Sequence, residues 1–261
     1  MNRIDRLFKN KSGEILSIYI TAGYPDLNDT STLIESLARN GADMIEIGIP
    51  FSDPMADGPI IQQSSQVALG NGMSLELLFD QLRDIRQKVD IPLVLMGYLN
   101  PVLKMGMDAF LEKCQLAGID GVIIPDLPPG EYASVYQARF QSYGIYHPLL
   151  ITPHTEPERI DWIAGLSTGF IYLVADSATT GSKSSLGSHQ LEYFERIQNM
   201  KLPVPSLIGF GISNQKTFRT ACGFARGTII GSAFIKAIGQ EKSEMLDQRV
   251  ADFIKGILGD Q

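Results

Sequence analysis

The sequence is poor in cysteine, histidine and tryptophan, with 2, 3 and 1 of each among its 261 residues. Disulfide-stapled scaffolds and zinc sites need several cysteines or histidines at short, regular spacings, and no such spacing occurs here. Cys114 and Cys222 both fall in segments with helical periodicity. We therefore expect two buried thiols in a reducing compartment, with neither a disulfide nor a metal site.

Long apolar runs and excess positive charge are also missing. No run approaches the ~20 residues needed to span a bilayer, and residues 1–8 contain no apolar signal-peptide core. The formal net charge of -7 disfavours binding to nucleic acid or anionic membranes. An anionic small substrate remains compatible, because local backbone donors outweigh a diffuse net charge. These absences predict a soluble cytoplasmic protein.

Glycine and proline, by contrast, are plentiful at 25 and 14 residues, and they separate short apolar strands from amphipathic helices. Strand then helix occurs eight times, after a short helix at 5–9 and without a linker. This pattern predicts one domain over residues 1–261, a (β/α)₈ TIM barrel with extra helices in its βα loops. A doubly wound open sheet is the alternative, and the lack of a dinucleotide fingerprint after the first strand disfavours it. The predicted strands are 15–20, the strand that carries Glu46, 91–96, 122–124, 148–151, 170–174, 206–208 and 228–230.

The most unusual stretch is 44–59, MIEIGIPFSDPMADGP. It begins as a buried strand, yet it contains Glu46, and a buried charge is costly unless it is paired or protonated. The following loop holds Asp53 and Asp57, and Pro59 suits the first turn of a helix. Active sites of parallel α/β folds lie at this end of the strands. In the structural alternative, Asp57 caps the helix, Asp53 forms a turn and Glu46 pairs with a buried base.

The string IEIGIPFSDPMADGP at 45–59 closely resembles the signature of the tryptophan synthase alpha subunit family. The resemblance covers essentially the whole chain and implies cleavage of indole-3-glycerol phosphate into indole and glyceraldehyde 3-phosphate, without metal or Schiff base. It implies no cofactor in this chain. Indole would pass to a beta subunit that uses pyridoxal phosphate, in an alpha2beta2 complex. The other matching motifs are TAGYPD at 21–26, YLNP at 98–101, PDLP at 125–128, GFGIS at 209–213 and GSA at 231–233.

The resemblance also implies roles for the two acids of this stretch. Glu46 would protonate the indole carbon that bears the glycerol chain and remove a proton from the adjacent hydroxyl, and its apolar flanks should raise its pKa. Asp57 would accept a hydrogen bond from the indole nitrogen and stabilise the positive charge that develops there. Helix capping stays an alternative for Asp57.

Substrate phosphate is expected over the carboxyl ends of strands seven and eight, where glycines allow backbone N–H groups to approach. The candidates are Gly181, Gly211, Gly231 and Ser232, although Gly209 and Gly211 could instead be turn glycines. A second set could form the indole-facing wall, although aromatic residues at strand ends more often fill the core. This set comprises Tyr19, Met96, Tyr98, Ile151, Tyr172 and Phe210.

The segment 175–188 departs from the family pattern. Where the family usually has Ser-Arg-x-Gly-Val-Thr-Gly, this chain has ADSATTG, so Asp176 stands in place of arginine. Its length and polarity favour a mobile lid. We expect Thr180 to close towards a loop carboxylate, Asp57, with a different anchor for the closed lid. The three histidines fall on no family motif and are predicted to be structural or solvated (His147, His154 and His189).

Two other functions remain open from the sequence. The barrel could be a non-catalytic docking subunit, or another phosphate-binding barrel such as a ribose-phosphate isomerase, although the latter lacks the Pro-Phe-Ser-Asp-Pro stretch. The partner interface is expected at 53–55 and 100–105, where prolines and apolar residues follow strands two and three. Ordinary loop packing would explain these residues equally well.

Overall fold

A computed structural model of the chain describes residues 1–174, 186–209, 211–239 and 245–259. Its eight strands are β1 (Ile15–Thr21), β2 (Met44–Gly48), β3 (Leu93–Met96), β4 (Gly121–Ile123), β5 (Leu149–Ile151), β6 (Ile171–Val174), β7 (Ser206–Gly209) and β8 (Gly227–Ile230). All ladders are parallel, and the order is β4-β3-β2-β1-β8-β7-β6-β5. The strands are buried on both faces, which explains their nearly continuous apolar runs.

The two ends of this sheet meet and close it. A parallel bridge joins Gly121 of β4 to Tyr146, just before β5, and the Val122 N–H donates to the Tyr146 carbonyl at 2.8 Å. His147 adds a side-chain bond across the same seam, with its Nδ1 at 2.7 Å from the Val122 carbonyl oxygen. The predicted TIM barrel is therefore confirmed, and the doubly wound alternative is wrong.

The helices of the described ranges surround this barrel. They are α1 (Arg3–Asn10), α2 (Asp29–Arg39), α3 (Pro59–Gly70), α4 (Leu75–Leu82), α5 (Leu99–Met105), α6 (Met107–Leu116), α7 (Pro129–Glu131), α8 (Gln137–Tyr143), α9 (Pro157–Leu166), α10 (Ser188–Met200), α11 (Gln215–Cys222), α12 (Ser232–Ile238) and α13 (Leu246–Leu258). A 3₁₀ turn (Ile85–Gln87) and a π-helical turn (Tyr132–Tyr136) complete the set. None of the helices within the described ranges has the length and apolar character that crossing a bilayer requires.

Several elements differ from the sequence expectation. The sequence pattern predicts a loop at 97–101 after the third strand and a short turn at Ser232. Most of that loop is instead the start of helix α5, which tolerates Pro101 because a missing N–H costs nothing in the first turn. Ser232 begins the full helix α12. The two cysteines are free, but only Cys114 is buried, whereas Cys222 is half-buried at the end of α11.

The amino end of the barrel is filled by an ion-pair cluster around Asp120, the residue before β4. Its carboxylate is bound by Arg3 of α1 at 3.1 Å and by Arg86 at 2.5 Å. It also accepts the Leu93 N–H at 2.9 Å. These bonds fasten α1 beneath the strands and tie β3 to β4. The amino end is thus a structural face, which leaves the carboxyl end of the strands for chemistry.

His147 should make stability depend on acid pH. It is fully buried between the rings of Tyr132 and Phe140, with centroids at 4.4 and 5.1 Å, and burial lowers its pKa from 6.5 to about 4. The unfolded chain therefore binds this proton at higher pH than the native chain does. The contribution of His147 to the free energy of unfolding is therefore complete above about pH 6.5 and falls by about 3 kcal/mol as the pH drops to 4.

Urea unfolding of wild type and His147→Asn at several pH values between 7 and 4 isolates this contribution. The free energy of unfolding of wild type relative to His147→Asn should fall by about 3 kcal/mol as the pH drops from 6.5 to 4, whereas the difference between wild type and His154→Asn, at an exposed position, should stay constant. A constant difference between wild type and His147→Asn would show that His147 does not cause acid sensitivity.

Candidate active site

Glu46 lies in the middle of β2 and is only 1% exposed. Neither of its carboxylate oxygens has a hydrogen-bond partner among the described residues. Burial, and then the nearby charge of Asp57, raises the pKa of Glu46 to about 8. The alternative in which Glu46 pairs with a buried base therefore does not hold within the described part of the chain. The side chain is instead a neutral acid poised to ionise near neutral pH.

Asp57 lies in the loop after β2 and is held there by Tyr98. The Tyr98 hydroxyl donates to Asp57 Oδ2 at 3.0 Å and accepts the Ala56 N–H at 2.9 Å. The Tyr98 ring stacks on Phe51 with centroids 5.0 Å apart. Burial raises the pKa of Asp57, while the Tyr98 hydrogen bond opposes that rise. Gly58 is the N-cap of α3, which has no side-chain capping bond, so the capping alternative for Asp57 is wrong.

Tyr98 is predicted to be part of the indole-facing wall. In the structure, its hydroxyl hydrogen-bonds to the loop that carries Asp57. It fastens the loop that carries Asp57 to the end of β3 through the two bonds just described. The YLNP motif placed Tyr98 at the correct end of the barrel. The sequence could not reveal the bond, because it joins two loops separated by 41 residues.

Tyr98→Phe is expected to lower catalytic efficiency, kcat/KM, about tenfold, since a hydrogen bond to a charged group contributes about 1.5 kcal/mol. A matched control exists at the opposite end of the barrel, where the Tyr146 hydroxyl donates to Asp5 at 2.6 Å. Tyr146→Phe removes the same kind of bond and should leave kcat/KM unchanged. Equal losses in both variants would contradict a specific role for Tyr98.

Two tyrosines of the barrel interior, Tyr19 and Tyr172, lie close enough to Glu46 and Asp57 to be affected by their charges. Tyr19 of β1 is paired in register with Glu46. Burial, followed by the charge of Asp57, raises the pKa of Tyr19. A hydrogen bond to the Thr21 side chain opposes this rise, and the charge of Glu46 adds to it. Burial, and then Glu46 and Asp57, likewise raises the pKa of Tyr172 on β6. Since β6 is not adjacent to β1 or β2, these side chains can interact only across the interior.

Both tyrosine rings lie against glycines of neighbouring strands. A methyl group on Gly48 would overlap the Tyr19 hydroxyl, and one on Gly209 would overlap the Tyr172 ring and hydroxyl. Gly48 and Gly209 therefore provide the space in which the two side chains sit. Sequence reasoning missed this role, and it treated Gly209 only as a turn residue of the GFGIS motif.

Strand register shows which of the remaining candidates for the indole-facing wall lie on the inward face of the barrel. Met96 is paired with Gly48 and is half-buried, so it shares the inward face. Ile151 is paired with Leu173 and is fully buried, one position out of phase with Tyr172. Successive strand residues face opposite sides, so the structure does not bring Ile151 to this wall. Leu150, paired with Tyr172 and half-buried, takes that place.

The phosphate candidates that are described lie at the same end of the barrel. Gly211 follows β7, is exposed and has φ of +78°, which favours glycine. Gly231 follows β8 as the N-cap of α12, and Ser232 is the first residue of that helix. A methyl group on Gly231 would lie 3.4 Å from Tyr19 Cβ, so this turn borders the interior wall. Asp176, Thr180, Gly181 and Phe210 lie outside the described residues.

Comparison with known proteins gives the family of the chain. Residues 6–256 match the family model described as "Tryptophan synthase alpha chain". The chain belongs to this family. The tryptophan synthase alpha chain of Flavobacterium johnsoniae is 53% identical over 252 residues, covering 97% of this chain and 99% of the relative. That of Bacteroides thetaiotaomicron is 51% identical over 242 residues, with 93% and 94% covered.

Solved tryptophan synthase structures share the fold. The alpha chain from Legionella pneumophila superposes with a TM-score of 0.86 at 31% identity, covering 100% of both chains. A chain of the tryptophan synthase complex from Pyrococcus furiosus gives 0.85 at 32% identity, with 94% and 98% covered. The tryptophan synthase alpha chain is a lyase of tryptophan biosynthesis that cleaves indole-3-glycerol phosphate and passes indole to the beta subunit. The expected activity is confirmed, and the isomerase alternative is wrong.

Proposed function

We propose that Glu46 is the acid/base and Asp57 the electrostatic partner in the cleavage of indole-3-glycerol phosphate. The observation that carries this assignment is the state of Glu46, a buried carboxyl without a partner whose pKa is raised to about 8. General acids work best when they ionise near the operating pH. The register with Tyr19 and the charge coupling to Asp57 support a shared interior cavity.

In the proposed reaction, Glu46 gives up one proton and later takes one back. The protonated carboxyl gives its proton to the indole carbon that bears the glycerol chain. The carbon–carbon bond then breaks as the adjacent hydroxyl becomes an aldehyde, and the Glu46 carboxylate takes the hydroxyl proton. Asp57 accepts a hydrogen bond from the indole N–H and stabilises the positive charge on the ring. Indole and glyceraldehyde 3-phosphate leave with Glu46 again protonated.

The phosphate of the substrate is proposed to lie over β7 and β8. Backbone N–H groups near Gly211 and Gly231 and the Ser232 hydroxyl would hold it, with Gly181 from the preceding loop. The exposure of Gly211 and Ser232 and the nearness of Gly231 to Tyr19 support this position. Closure of Thr180 towards Asp57, with Asp176 altering the lid anchor, stays a prediction.

The proposed partner is a beta subunit in an alpha2beta2 complex, and the pyridoxal phosphate would belong to that subunit. The alpha chain itself is proposed to work without a cofactor. The two segments expected to form the interface, the loop after β2 and helix α5, expose large apolar side chains: Met55 is 92% exposed and Leu103 is 49% exposed. Several solved relatives are tryptophan synthase complexes, which fits such a partner.

Indole release from indole-3-glycerol phosphate, measured with and without a beta subunit, tests this proposal. Because protonated Glu46 starts the reaction and its pKa is raised to about 8, kcat should be highest about one pH unit or more below 8, where Asp57 is still ionised. It should fall about tenfold per pH unit well above pH 8. A descent centred near the ordinary carboxyl pKa would contradict the assignment of Glu46.

A further inference from the structure

The proposed reaction requires a hydrogen-bond donor for Glu46 that the resting site does not use. Both carboxylate oxygens are buried and lack a partner among the described residues, which suits the neutral acid. Once the proton has passed to the indole carbon, however, Glu46 becomes an ionised group inside the barrel. The substrate hydroxyl that later gives up its proton donates to one carboxylate oxygen. A buried charged oxygen without a donor is strongly disfavoured, so a group of the protein must stabilise the second oxygen during the reaction.

The Tyr19 hydroxyl is the donor that the geometry favours. Tyr19 and Glu46 are direct register partners on adjacent strands, and their side chains share the inward face. The ring extends over Gly48, two residues beyond Glu46, where the missing side chain makes room for the hydroxyl. Tyr19 is only 8% exposed, so water competes little for this hydroxyl.

The other groups that face Glu46 fit this role less well. Asp57 is an acid and adds negative charge. Tyr172 is also coupled to Glu46, but it belongs to β6, across the barrel, and its ring lies against Gly209 of β7. Ser17, on the same face of β1, has a buried hydroxyl without a described partner, but its register partner on β2 is Met44, two residues before Glu46. Among the described groups, Tyr19 combines direct pairing with a hydroxyl that is held over Gly48 and bonded to the Thr21 side chain in the resting site.

We propose that the Tyr19 hydroxyl donates a hydrogen bond to Glu46 while that carboxyl is ionised, which makes Tyr19 a positioning residue for proton transfer. The inference rests on the proposed function of Glu46. It goes beyond the wall role expected for Tyr19, because a phenylalanine would fill the same wall without serving the carboxylate.

Tyr19→Phe tests the inference through both rate and pH profile. The expected kcat is about 10- to 100-fold lower, the loss that matches one hydrogen bond to a charged group. The pH at which kcat begins to fall on the alkaline side should rise by one unit or more, because the ionised form of Glu46 loses a hydrogen-bond donor while the neutral form does not. A ¹³C NMR titration of the Glu46 carboxyl should show the same shift without depending on turnover.

Tyr132→Phe is the matched control, because it makes the same change at a fully buried tyrosine that packs on His147 on the helix side. It should alter neither kcat nor the titration of Glu46. An unmoved Glu46 titration in Tyr19→Phe, with the fold verified by urea unfolding, would overturn the inference alone. Normal indole release by Glu46→Gln would instead overturn the proposed function, so the two failures are distinguishable.

Discussion

Glu46→Gln is expected to lower kcat for indole release by a factor of about 10²–10⁴, the usual contribution of general acid–base catalysis. Glutamine has nearly the same shape, but it can neither give nor take the proton. Substrate binding should change little, so the loss should appear in kcat and not in KM. Glu76→Gln, at an exposed position in the first turn of α4, is the control and should retain full activity.

The same substitution should stabilise the protein at alkaline pH. The folded pKa of Glu46 is about 8, against an ordinary value of 4.5, so the native chain binds the proton more tightly than the unfolded chain. This preference stabilises the fold at low pH and is lost as the pH rises from 4.5 to 8, a change of about 4–5 kcal/mol. Glutamine does not titrate, and its buried amide costs about 1–3 kcal/mol at every pH.

Because of these two effects, whether Glu46→Gln is more or less stable than wild type depends on the pH. Relative to wild type, Glu46→Gln should be more stable by about 1–4 kcal/mol at pH 8 and less stable by about 1–3 kcal/mol at pH 4.5. Urea unfolding at the two pH values measures this difference. A stability difference that stays constant with pH would show that Glu46 has an ordinary pKa, and it would remove the physical basis of its role as an acid.

The sequence could predict the barrel and the position of Glu46 because both depend on local patterns. Eight apolar strands alternating with helices leave few arrangements, and one acid inside such a strand stands out against its neighbours. The family signature then marked Asp57 as well. In the structure, Asp57 lies near enough to Glu46 for its charge to affect the Glu46 pKa.

What the sequence could not predict depends on strand register and on contacts between loops. Ile151 and Leu150 are neighbours of similar character, and only pairing with β6 shows which of them shares a face with Tyr172. The hydrogen bond from Tyr98 to Asp57 and the packing of Tyr19 against Gly48 each join two separate βα units. No periodicity within one segment carries that information.

Asp57→Asn is expected to lower kcat by about 10²–10³, the loss usually seen when one electrostatic stabiliser of the transition state is removed. The asparagine oxygen can still accept the Tyr98 hydroxyl, so the loop should keep its position. What disappears is the negative charge opposite the indole nitrogen. The defect should therefore be in kcat, measured as indole release by the isolated alpha chain.

The pH profile separates this defect from simple loss of structure. The charge of Asp57 contributes to the raised pKa of Glu46, so its removal should shift the alkaline descent of kcat to lower pH, opposite to the shift expected for Tyr19→Phe. Asp53→Asn, at an exposed position of the same loop, is the matched control and should change neither rate nor profile. If Asp57→Asn lowered kcat without moving the descent, the two carboxylates would not share one cavity, and the paired mechanism would fail.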